Sequence, residues 1–559
     1  MTRVLYRHGA VYTPADPYAQ ALLVDGGTVA WVGGDEAAAT MATDGSAEVV
    51  VDLAGALVTP AFVDGHVHSF DTGLTVTGVD VTGARRVADV LDAVSAYVAS
   101  HPGRTVLGHG WDETLLAEGR PPSAAELDRA AGGAEVYLSR VDVHSALVSS
   151  RLAARAGCGD QVGWDGTARV ERDAHHVARA AARDVPDAER AAAHEAALRR
   201  AAEVGIATVH EMSGPFIGGL RDLPVLLDVA ARVGVRVVPY WGEAATDAEH
   251  ARALVTGLGL PDGVRLAGLA GDLSADGSIG SRTAAFREPY SDNDPGSPAD
   301  PGSRDHRGHT YLDAATISAH VVACVRAGLQ PGFHVIGDAA LDTVVAGCQD
   351  AARALGGTRL RTARLRLEHV ETADDAQVAA LAELGAVASM QPMFDGLWGG
   401  DAGLYARRLG TRRLNRVGAI AAAGIPLAFG SDSPVTALDP WGAVSAAAFH
   451  HDDDQRISVR AAFAAHTRGA HRSARDDVHV HEQAGVLLPG APADLAVWEA
   501  GELVVQAPDD RIQAWSTDPR SRVPALPDLS PGAPRPRGLR TVVAGRVVHD
   551  TGELAGARP

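Results

Sequence analysis

Apolar runs of strand length alternate with longer amphipathic stretches through most of this chain. Residues 57–63, 332–336 and 425–429 are such runs, and the stretches 338–355 and 374–384 have the apolar spacing of helices. Continuous apolar runs are typical of strands that are buried on both faces, and strand–helix alternation predicts a parallel sheet. We therefore expect an α/β fold in which parallel strands close into a TIM-like (β/α)₈ barrel.

The length and the two ends indicate further structural units. The chain has 559 residues, more than one ordinary domain holds. Both ends contain short strand patterns, too few at either end for a stable sheet, so the two ends together are candidates for one small β-sandwich. The predicted division is a sandwich of 1–58 plus 486–559, a barrel of 59–70 plus 201–485, and an α/β insertion of 71–200 after the first barrel strand.

Within these units the pattern predicts particular elements. Strands two, three, four and seven of the barrel are expected at 205–210, 235–241, 264–273 and 386–391. In the insertion we expect helices over 123–131 and 187–202, and Ser123 with Glu126 forms a capping-box pattern for the first of them. The stretch 291–308, rich in Asp, Pro, Gly and Ser, is either a lid over the barrel mouth or a disordered excursion.

Metal-competent side chains follow several of the strands. His66 and His68 end the first strand, and positions i and i+2 of a strand share a face, so both imidazoles can point the same way. His334, His369 and Asp432 follow three later strands. Active-site groups of (β/α)₈ barrels come from the carboxyl ends of different strands, and these side chains suit Zn²⁺ or a similar divalent metal. Core histidines and a helix N-cap at Asp432 are the alternatives.

The combined motifs resemble the amidohydrolase superfamily, and within it the amidohydrolase-3 group of YtcJ-like metal-dependent hydrolases. The resembling segments span nearly the whole chain: 59–68 (TPAFVDGHVH), 108–113 (GHGWDE), 139–145 (SRVDVHS), 275–284 (ADGSIGSRTA), 334–338 (HVIGD), 368–369 (EH), 430–434 (GSDSP) and 489–496 (PGAPADLA). The resemblance implies that the two termini pair in the sandwich. It also implies that the five side chains named above form the metal centre, with Asp432 as general base and acid.

The resemblance further implies hydrolysis of a carbon–nitrogen bond other than a peptide bond, most simply an amide. YtcJ-like proteins are similar to deformylases of N-substituted formamides, so a hydrophobic N-substituted amide is the expected substrate. A deaminase or cyclic-amide hydrolase on the same site, and a catalytically silent metal-containing binding protein, are the alternatives. The candidates for substrate contacts, each with a purely structural role as its alternative, are His109, Trp111, His144, His210 and Arg282.

Asp272 occupies the position at which many amidohydrolases carry a lysine that is carbamylated and bridges two metals. This chain contains no lysine at all. An aspartate is shorter by about four chain atoms, roughly 5 Å, and could bridge only if strand four moved inward or a water intervened. We therefore expect one Zn²⁺ per chain, with Asp272 orienting a ligand or a water, or else serving as an atypical ligand.

The composition of the chain limits the classes of partner that it is expected to bind. The net charge of −20 argues against nucleic acid and anionic membranes, which both favour basic surfaces. No apolar run approaches the ~18 residues of a membrane helix, and the first residues lack a signal core. Cys158, Cys324 and Cys348 are widely spaced without a CxxC motif, which is typical of reduced thiols. A cytoplasmic enzyme with a small-molecule substrate is expected; a homodimer is compatible with the sequence, which does not determine the oligomeric state.

Overall fold

The computed structural model describes residues 2–292, 305–410, 414–506, 515–516 and 523–555, so most of the lid candidate, 293–304, lies outside the described residues. Its largest sheet has eight strands, each paired in parallel with the next along the chain. We number them β1 to β8: Phe62–Val67, Ile206–Ser213, Arg236–Trp241, Gly268–Leu269, Gln330–Val335, Arg366–His369, Val387–Met390 and Leu427–Phe429.

Hydrogen bonds just beyond the ends of β1 and β8 bring the two edges of this sheet together. The backbone N–H of Asp432 donates to the carbonyl of His66 at 2.8 Å, and that of His68 donates to the carbonyl of Ser433 at 3.0 Å. Val67 and Ser433 also form a parallel bridge. The sheet is a nearly closed barrel, which confirms the predicted architecture. Its closure places Asp432 beside His66 at the end of β1 and His68 just after it.

Helices connect the barrel strands. The helix predicted over 338–355 is confirmed, and the one predicted over 374–384 begins one residue later because Asp374 is its N-cap. Ser69–Thr77 and Asp187–Glu203 are helices at the two ends of the predicted insertion, which confirms the helix predicted over 187–202. The later helices are Asp222–Val233, Ala248–Gly257, Ala314–Ala327, Asp338–Leu355, Gly357–Ala363, Asp375–Leu384, Pro392–Trp398, Leu404–Leu409, Val417–Ala422, Pro440–Ala448, Asp453–Gln455, Val459–Ala464, Ala465–Gly469, Ala470–Ser473 and Asp476–His479. None of the helices within the described ranges is both long and apolar enough to cross a bilayer.

The apolar run at 57–63 forms two strands, so the single strand predicted there is wrong. Leu57–Pro60 belongs to a sheet of the termini, and β1 begins at Phe62. At the junction, the N–H of Ala61 donates to the carbonyl of Asp494 at 3.0 Å, and that of Phe62 donates to the carbonyl of Gly205 at 2.9 Å. One buried segment therefore passes from the terminal sheet directly into the barrel.

Both termini contribute to the sheets beside the barrel. One sheet has the strand order Ala10–Val11, Leu57–Pro60, Leu495–Glu499, Arg537–Val543, Arg546–Asp550, and another has the order Thr28–Gly33, Ala21–Asp25, Arg3–Arg7, Val49–Asp52. A small third sheet contains Trp515–Ser516, Leu503–Gln506 and Leu526–Pro527, and Asp35–Met41 is a helix. Val24 and Val51 of the N-terminal end share an apolar core with Val497 and Val542. The two ends therefore pair; the exact division of the chain into domains stays a prediction.

The insertion has a sheet of its own. Its strands, in spatial order, are Arg169–Glu171, Ser145–Val148, Val136–Arg140, Val106–Trp111 and Val79–Asp80, and its helices are Val87–Ser100, Ala124–Ala131, Ser150–Ala156, Cys158–Asp160 and Arg172–Ala182. The predicted capping box is present, because Ser123 accepts from the Glu126 N–H and its own N–H donates to the Glu126 carboxylate at 2.8 Å. Helix Asp187–Glu203 packs against Ser69–Thr77 and Asp222–Val233.

Barrel strand four is much shorter than the predicted 264–273, because β4 spans only Gly268–Leu269. Gly271 has a φ of 76°, in the left-handed region that favours glycine. The chain returns to the barrel at Ser274, which forms a parallel bridge with His334. Residues 270–273 therefore leave the line of the sheet immediately before the predicted metal centre.

Candidate metal centre

The five predicted ligands lie together at the carboxyl end of the barrel. They are all buried, with exposures from 0% at His66 to 7% at Asp432. Oδ1 of Asp432 lies 3.3 Å from Nε2 of His66 and 3.2 Å from Nε2 of His68. The ring centroid of His369 lies 5.0 Å from that of His66 and 4.5 Å from that of His334. Asp432 caps no helix among the described residues, since the next helix begins at residue 440.

Asp272 lies inside this cluster, nearer than its side-chain length suggests. Oδ1 is 3.4 Å from His66 Nε2 and 3.7 Å from His334 Nδ1, and Oδ2 is 3.1 Å from His68 Nε2. The expectation that the Asp272 side chain is too short to reach the metal site assumed that strand four extends over the predicted 264–273. Because the chain leaves the sheet before this residue, its carboxylate has the position of the atypical ligand and not that of a group acting from outside the cluster.

A polar partner outside the cluster orients each histidine. The pairs are His66 Nδ1 with Glu368 Oε2 at 3.0 Å, His68 Nδ1 with the Met212 carbonyl at 3.1 Å, His334 Nε2 with the Gly277 carbonyl at 3.2 Å and His369 Nδ1 with Gln391 Oε1 at 2.7 Å. A ring N–H that donates to such an acceptor fixes the tautomer and leaves the lone pair of the other nitrogen for a metal. The four rings are therefore arranged as ligands.

The charges of the cluster shift the pKa values of its members. Burial alone lowers the pKa of His66 and His68, but the facing carboxylates of Asp432 and Asp272 outweigh it and raise both, that of His68 to about 9. Burial raises the pKa of the two carboxyl groups, yet the charges of the histidines outweigh it and hold both below their usual range. The carboxylates are therefore ionised, and a shared cation stabilises them in the same way as protons on the imidazoles do.

Three atoms at the centre are buried and have no hydrogen-bond partner among the described residues: His66 Nε2, Asp272 Oδ1 and Asp432 Oδ1. They lie close to one another but are not aligned for hydrogen bonds. An unpaired buried polar atom costs about 1–3 kcal/mol, so three at one point are explained best by a ligand that binds all of them. Imidazole nitrogens and carboxylate oxygens without a thiolate fit Zn²⁺ or another divalent cation.

A buried ion pair beneath the cluster holds His66 in place. Arg366 Nε donates to Glu368 Oε1 at 2.6 Å, and both side chains are 0% exposed. Burial raises the pKa of Glu368, but the charges of Arg366 and His66 outweigh it and lower that pKa to about 2. Glu368 was predicted from the sequence only as part of a motif, and Arg366 was not predicted. The available signal was the spacing, because residues 366 and 368 share the inward face of a strand.

Two of the clustered side chains stand on strained backbone. His369 has a φ of 71°, the following Val370 has 49°, and Asp432 has 55°. Such values are uncommon outside glycine and anomalous for a β-branched residue, and they cost about 1–3 kcal/mol each. Because His369 directly follows the inward-facing Glu368, regular alternation would turn it away from the centre. The left-handed conformation is what directs its ring into the cluster.

An apolar pocket opens onto the cluster. Its apolar wall contains Ile279, Ile336, Phe394, Trp398, Leu404 and Val435. The Phe394 ring stacks on the His369 ring with centroids 6.0 Å apart. Glu371 also lines the pocket; burial raises its pKa to about 7, and Tyr405 Oη donates to it at 2.5 Å. The pocket therefore suits an apolar group, and polar side chains such as Glu371 and Tyr405 also line it.

The insertion contributes His144 to this pocket. Its ring centroid lies 5.4 Å from that of His334, and burial together with the charge of His334 lowers the pKa of His144 to about 4. Val143 before it has a φ of 52°, a strained value for a β-branched residue. Asp142 fixes the loop to the barrel by accepting a hydrogen bond from Ser281 Oγ at 2.7 Å. His144 is therefore a neutral imidazole held at the pocket wall.

Two of the side chains predicted to contact substrate, His210 and Trp111, lie away from the pocket. The sequence pattern predicted that strand two ends at His210, but β2 continues to Ser213, so His210 lies below the barrel mouth. Its Nδ1 accepts a hydrogen bond from Arg366 at 3.2 Å. Trp111 belongs to the apolar core of the insertion, where its Nε1 donates to the carbonyl of Leu138 at 2.9 Å. Neither side chain belongs to the lining of the pocket.

Arg282 and His109 also lie outside the pocket lining. The guanidinium of Arg282 is paired with the carboxylate of Asp292 at 2.9 Å, so its charge is already neutralised within the chain. His109 is 4% exposed, and burial lowers its pKa to about 4. Of the five residues predicted to contact substrate, the structure places one, His144, in the pocket.

Comparison with known proteins identifies the family to which this chain belongs. The model of the amidohydrolase family, Amidohydro_3, matches residues 49–549. This chain belongs to the amidohydrolase family. Membership supports hydrolase activity, and the match includes the barrel, the insertion and strands of both ends.

Several relatives of this amidohydrolase are similar over most of their length. Protein LONG AFTER FAR-RED 3 of Arabidopsis thaliana is 27% identical over 531 residues, which cover 88% of this chain and 86% of that protein. N-substituted formamide deformylase of Arthrobacter pascens is 24% identical over 524 residues, covering 87% of this chain and 93% of that enzyme. The putative amidohydrolase YtcJ of Bacillus subtilis is 22% identical and covers 80% of this chain and 84% of its own.

Solved structures share the fold of this amidohydrolase. Two uncharacterised metal-dependent hydrolases, from Pyrococcus furiosus and Pyrococcus horikoshii OT3, superpose with TM-scores of 0.66 and 0.69 at 24% and 23% identity. Each comparison covers 89% of this chain and 98% of the other. These similarities show that the fold is shared.

Proposed function

We propose that this amidohydrolase cleaves a carbon–nitrogen bond other than a peptide bond, in a small amide-type substrate. The observation that carries the proposal is the cluster at the barrel mouth, in which oriented histidines face two ionised carboxylates beside an apolar pocket. The similarity to an N-substituted formamide deformylase supports a substrate of this class. A hydrophobic N-substituted amide is the substrate that the apolar wall fits best.

The donor set supports a divalent cation, for which we propose Zn²⁺. The residues that would hold it are His66, His68, His334, His369 and Asp432, with Asp272 as an additional carboxylate. When bound, such a cation supplies Lewis-acid polarisation of the carbonyl and acidifies water. The remaining chemistry belongs to side chains of the protein.

Asp432 is the proposed proton carrier. Its pKa lies below the usual range, so the carboxylate is ionised and can accept a proton from the attacking water. The water oxygen bonds to the carbonyl carbon, the carbon–nitrogen bond breaks, and Asp432 delivers the proton to the leaving nitrogen. The left-handed backbone at this residue, with its φ of 55°, fixes the carboxylate for both transfers.

His144 is the proposed substrate-positioning group. As a neutral imidazole at the pocket wall, it can donate one ring N–H to the carbonyl oxygen of the substrate. The hydrophobic substituent would then lie against Phe394 and Trp398, with Glu371 as the polar anchor at its side. We further propose a cytoplasmic enzyme, which the free and buried cysteines support.

The proposed function is tested by offering metal-loaded protein a panel of N-aryl and N-alkyl formamides and acetamides, cyclic amides, esters and amino-substituted heterocycles. We expect an amine and a carboxylic acid in equal amounts from the linear amides, and turnover lower by about 10²–10⁴-fold in the metal-loaded Asp432→Asn variant. Ammonia from the heterocycles alone would indicate a deaminase instead. Metal binding without turnover of any compound would indicate a silent binding protein.

A further inference from the structure

A second cavity lies between the insertion and the loop that follows β2. Its volume is about 480 Å³, and its wall comes from the end of helix Arg172–Ala182, from helix Asp187–Glu203 and from the loop 214–221. None of the residues described in this wall lines the pocket at the metal centre. Four of its side chains are arginines: Arg155, Arg183, Arg190 and Arg221. This local positive charge contrasts with the net charge of −20 of the whole chain.

Three guanidinium groups at and behind this wall are shielded from water. Arg179, Arg183 and Arg190 are each at most 8% exposed. Asp71 accepts a hydrogen bond from Arg179 at 2.7 Å and also pairs with Arg183. Asp222 accepts a hydrogen bond from Arg190 at 2.7 Å. Two carboxylates therefore face three guanidinium groups, which leaves one positive charge in excess.

The other acidic side chains close to these arginines do not pair with them. Glu211 accepts the backbone N–H of Ser69 at 3.0 Å instead. Asp184 lines the cavity but is exposed, so water screens its charge. A buried charge without a partner is unfavourable, and an anion that binds beside it removes that cost. The excess charge therefore favours an anionic ligand in the cavity.

Two of the buried guanidinium groups also have a donor to spare. Arg183 and Arg190 both line the cavity, and the Nε atom of each is buried without a hydrogen-bond partner among the described residues. A guanidinium group presents a planar fork of N–H donors that matches the two oxygens of a carboxylate. The unused donors are a second observation, independent of the charge count, that indicates an anion.

The loop 214–221 gives the cavity an apolar side. Phe216 and Leu220 line it, although they are 64% and 59% exposed. The ring of Phe216 stacks on the ring of His176 in the insertion, with centroids 4.8 Å apart and an angle of 16° between the planes. Large apolar side chains beside a buried positive charge suit an organic anion with an apolar body better than a bare inorganic ion.

A cavity elsewhere in the chain has similar arginines without their burial. Its volume is about 460 Å³, and Arg326, Arg359 and Arg475 line it. Arg326 and Arg359 are exposed, and Arg475 is half-buried. Guanidinium groups in contact with water are screened and gain little from an ion pair. The burial of Arg183 and Arg190 is therefore what distinguishes the cavity beside the loop 214–221.

We propose that the cavity between the insertion and the loop 214–221 is a second ligand site, which binds a small organic carboxylate. The carboxylate pairs with Arg183 and Arg190, and an aromatic or aliphatic body lies against Phe216 and Leu220. A monocarboxylate carries the one negative charge that the buried cluster lacks, whereas a phosphate monoester carries nearly two. The site is separate from the metal centre, and the inference does not depend on the function proposed above.

Calorimetric titration of metal-loaded protein with benzoate, phenyl phosphate and benzyl alcohol tests the site. We expect saturable binding of benzoate, weaker binding of phenyl phosphate and no binding of the neutral alcohol. Absence of benzoate binding would overturn the inference. Tighter binding of phenyl phosphate would overturn the assignment to a carboxylate, and equal binding of benzyl alcohol would show that the buried charge does not act.

Variants locate the bound benzoate. Arg183→Gln should weaken its binding by ~10–100-fold, the usual contribution of a hydrogen bond between charged groups. Phe216→Ala changes an exposed side chain and should also weaken it, which keeps the test valid if the arginine variant does not fold. Arg359→Gln, in the water-exposed cavity, is the matched control and should bind benzoate as the parent chain does.

The outcomes that contradict the site are distinct. Unchanged affinity for benzoate in Phe216→Ala, or in folded Arg183→Gln, would overturn the inference. Loss of binding in Asp432→Asn alone would place benzoate at the metal centre, and the cavity would then not be its site.

Discussion

At the residue scale, the cluster is supported by side chains that lie outside the pocket lining. Glu368 binds His66 on one side and Arg366 on the other, with distances of 3.0 and 2.6 Å. A carboxylate in this position fixes the tautomer of the imidazole and increases its basicity. The buried guanidinium keeps that carboxylate ionised, so we expect the affinity for a cation to depend in part on Arg366.

Replacing Glu368 by Gln should weaken cation binding by about 10–100-fold, because the amide orients His66 without the negative charge. Competition with a chromophoric chelator measures the affinity. Ser389→Ala is the control, since Ser389 Oγ accepts from Arg366 at 2.9 Å without contacting His66. Equal affinities in the two variants would show that the charge of Glu368 does not act on the metal centre.

Replacing Asp432 by Asn should lower kcat by about 10²–10⁴-fold, the usual contribution of a general acid–base group. An amide cannot carry the proton from water to the leaving nitrogen. The assay uses folded, metal-loaded protein, and Asp439→Asn, a change at the N-cap of the next helix, reports on structural effects alone. Normal turnover in the loaded Asp432 variant would exclude this residue as the proton carrier.

Replacing His144 by Ala should lower kcat/KM without changing the metal content. Loss of a hydrogen bond in a buried site is worth about 1–3 kcal/mol, or roughly 5- to 160-fold. The matched control is His109→Ala, because His109 is a buried histidine that lies outside the pocket lining. An undiminished kcat/KM in the His144 variant would show that His144 does not contribute to substrate binding.

At the element scale, the decisive feature is the end of β4. Periodicity predicted a strand of ten residues at 264–273, yet the paired part is Gly268–Leu269. The excursion that follows needs small residues at Gly271 and Gly242, where the backbone turns or approaches another segment closely. An apolar run does not reveal such contacts, because they depend on what β2 and β3 present to it.

A methyl group at Gly271 should therefore disturb both stability and metal content. An alanine at this position would keep the left-handed φ, which costs a residue with a Cβ ~1–2 kcal/mol. Its Cβ would also lie 2.6 Å from Met212 Sδ. Gly45→Ala is the control, since Gly45 has a φ of 84° with no atom within 4 Å of the added carbon. We expect a larger fall in Tm for Gly271→Ala and a loss of bound metal in that variant alone. Similar behaviour of both would show that the excursion does not position Asp272.

At the scale of the whole molecule, the termini act as one structural unit beside the barrel. Strand Leu495–Glu499 pairs with Leu57–Pro60 of the N-terminal end and with Arg537–Val543. The same N-terminal segment continues into β1, which bears His66. Damage to the C-terminal strands therefore affects the support of the strand that carries the first two histidines.

Deleting residues 500–559 should expose the shared apolar core and cause aggregation. A matched pair of point variants gives the same information in the intact chain: Val542 is 1% exposed and Val547 is 45% exposed. An uncompensated buried charge is strongly unfavourable, so Val542→Asp should lower the Tm sharply and Val547→Asp only slightly. A soluble, active truncation would contradict the pairing of the two ends.

The sequence by itself determined the barrel, the kinds of candidate metal donor and their positions at strand ends. These features are local: strand and helix periods, a histidine pair two residues apart, and a capping box at Ser123 that the structure shows. The motif resemblance added the pairing of the termini and the family. Both kinds of information can be obtained without knowing which distant segments of the chain pack together.

Only the tertiary structure decided which side chains meet. His210 lies below the mouth because β2 continues past it, Arg282 is neutralised by Asp292, and Asp272 reaches the centre because β4 ends early. Each outcome depends on where an element ends and on what packs against it. Those boundaries follow from contacts between segments far apart in the chain, and no local pattern contains them.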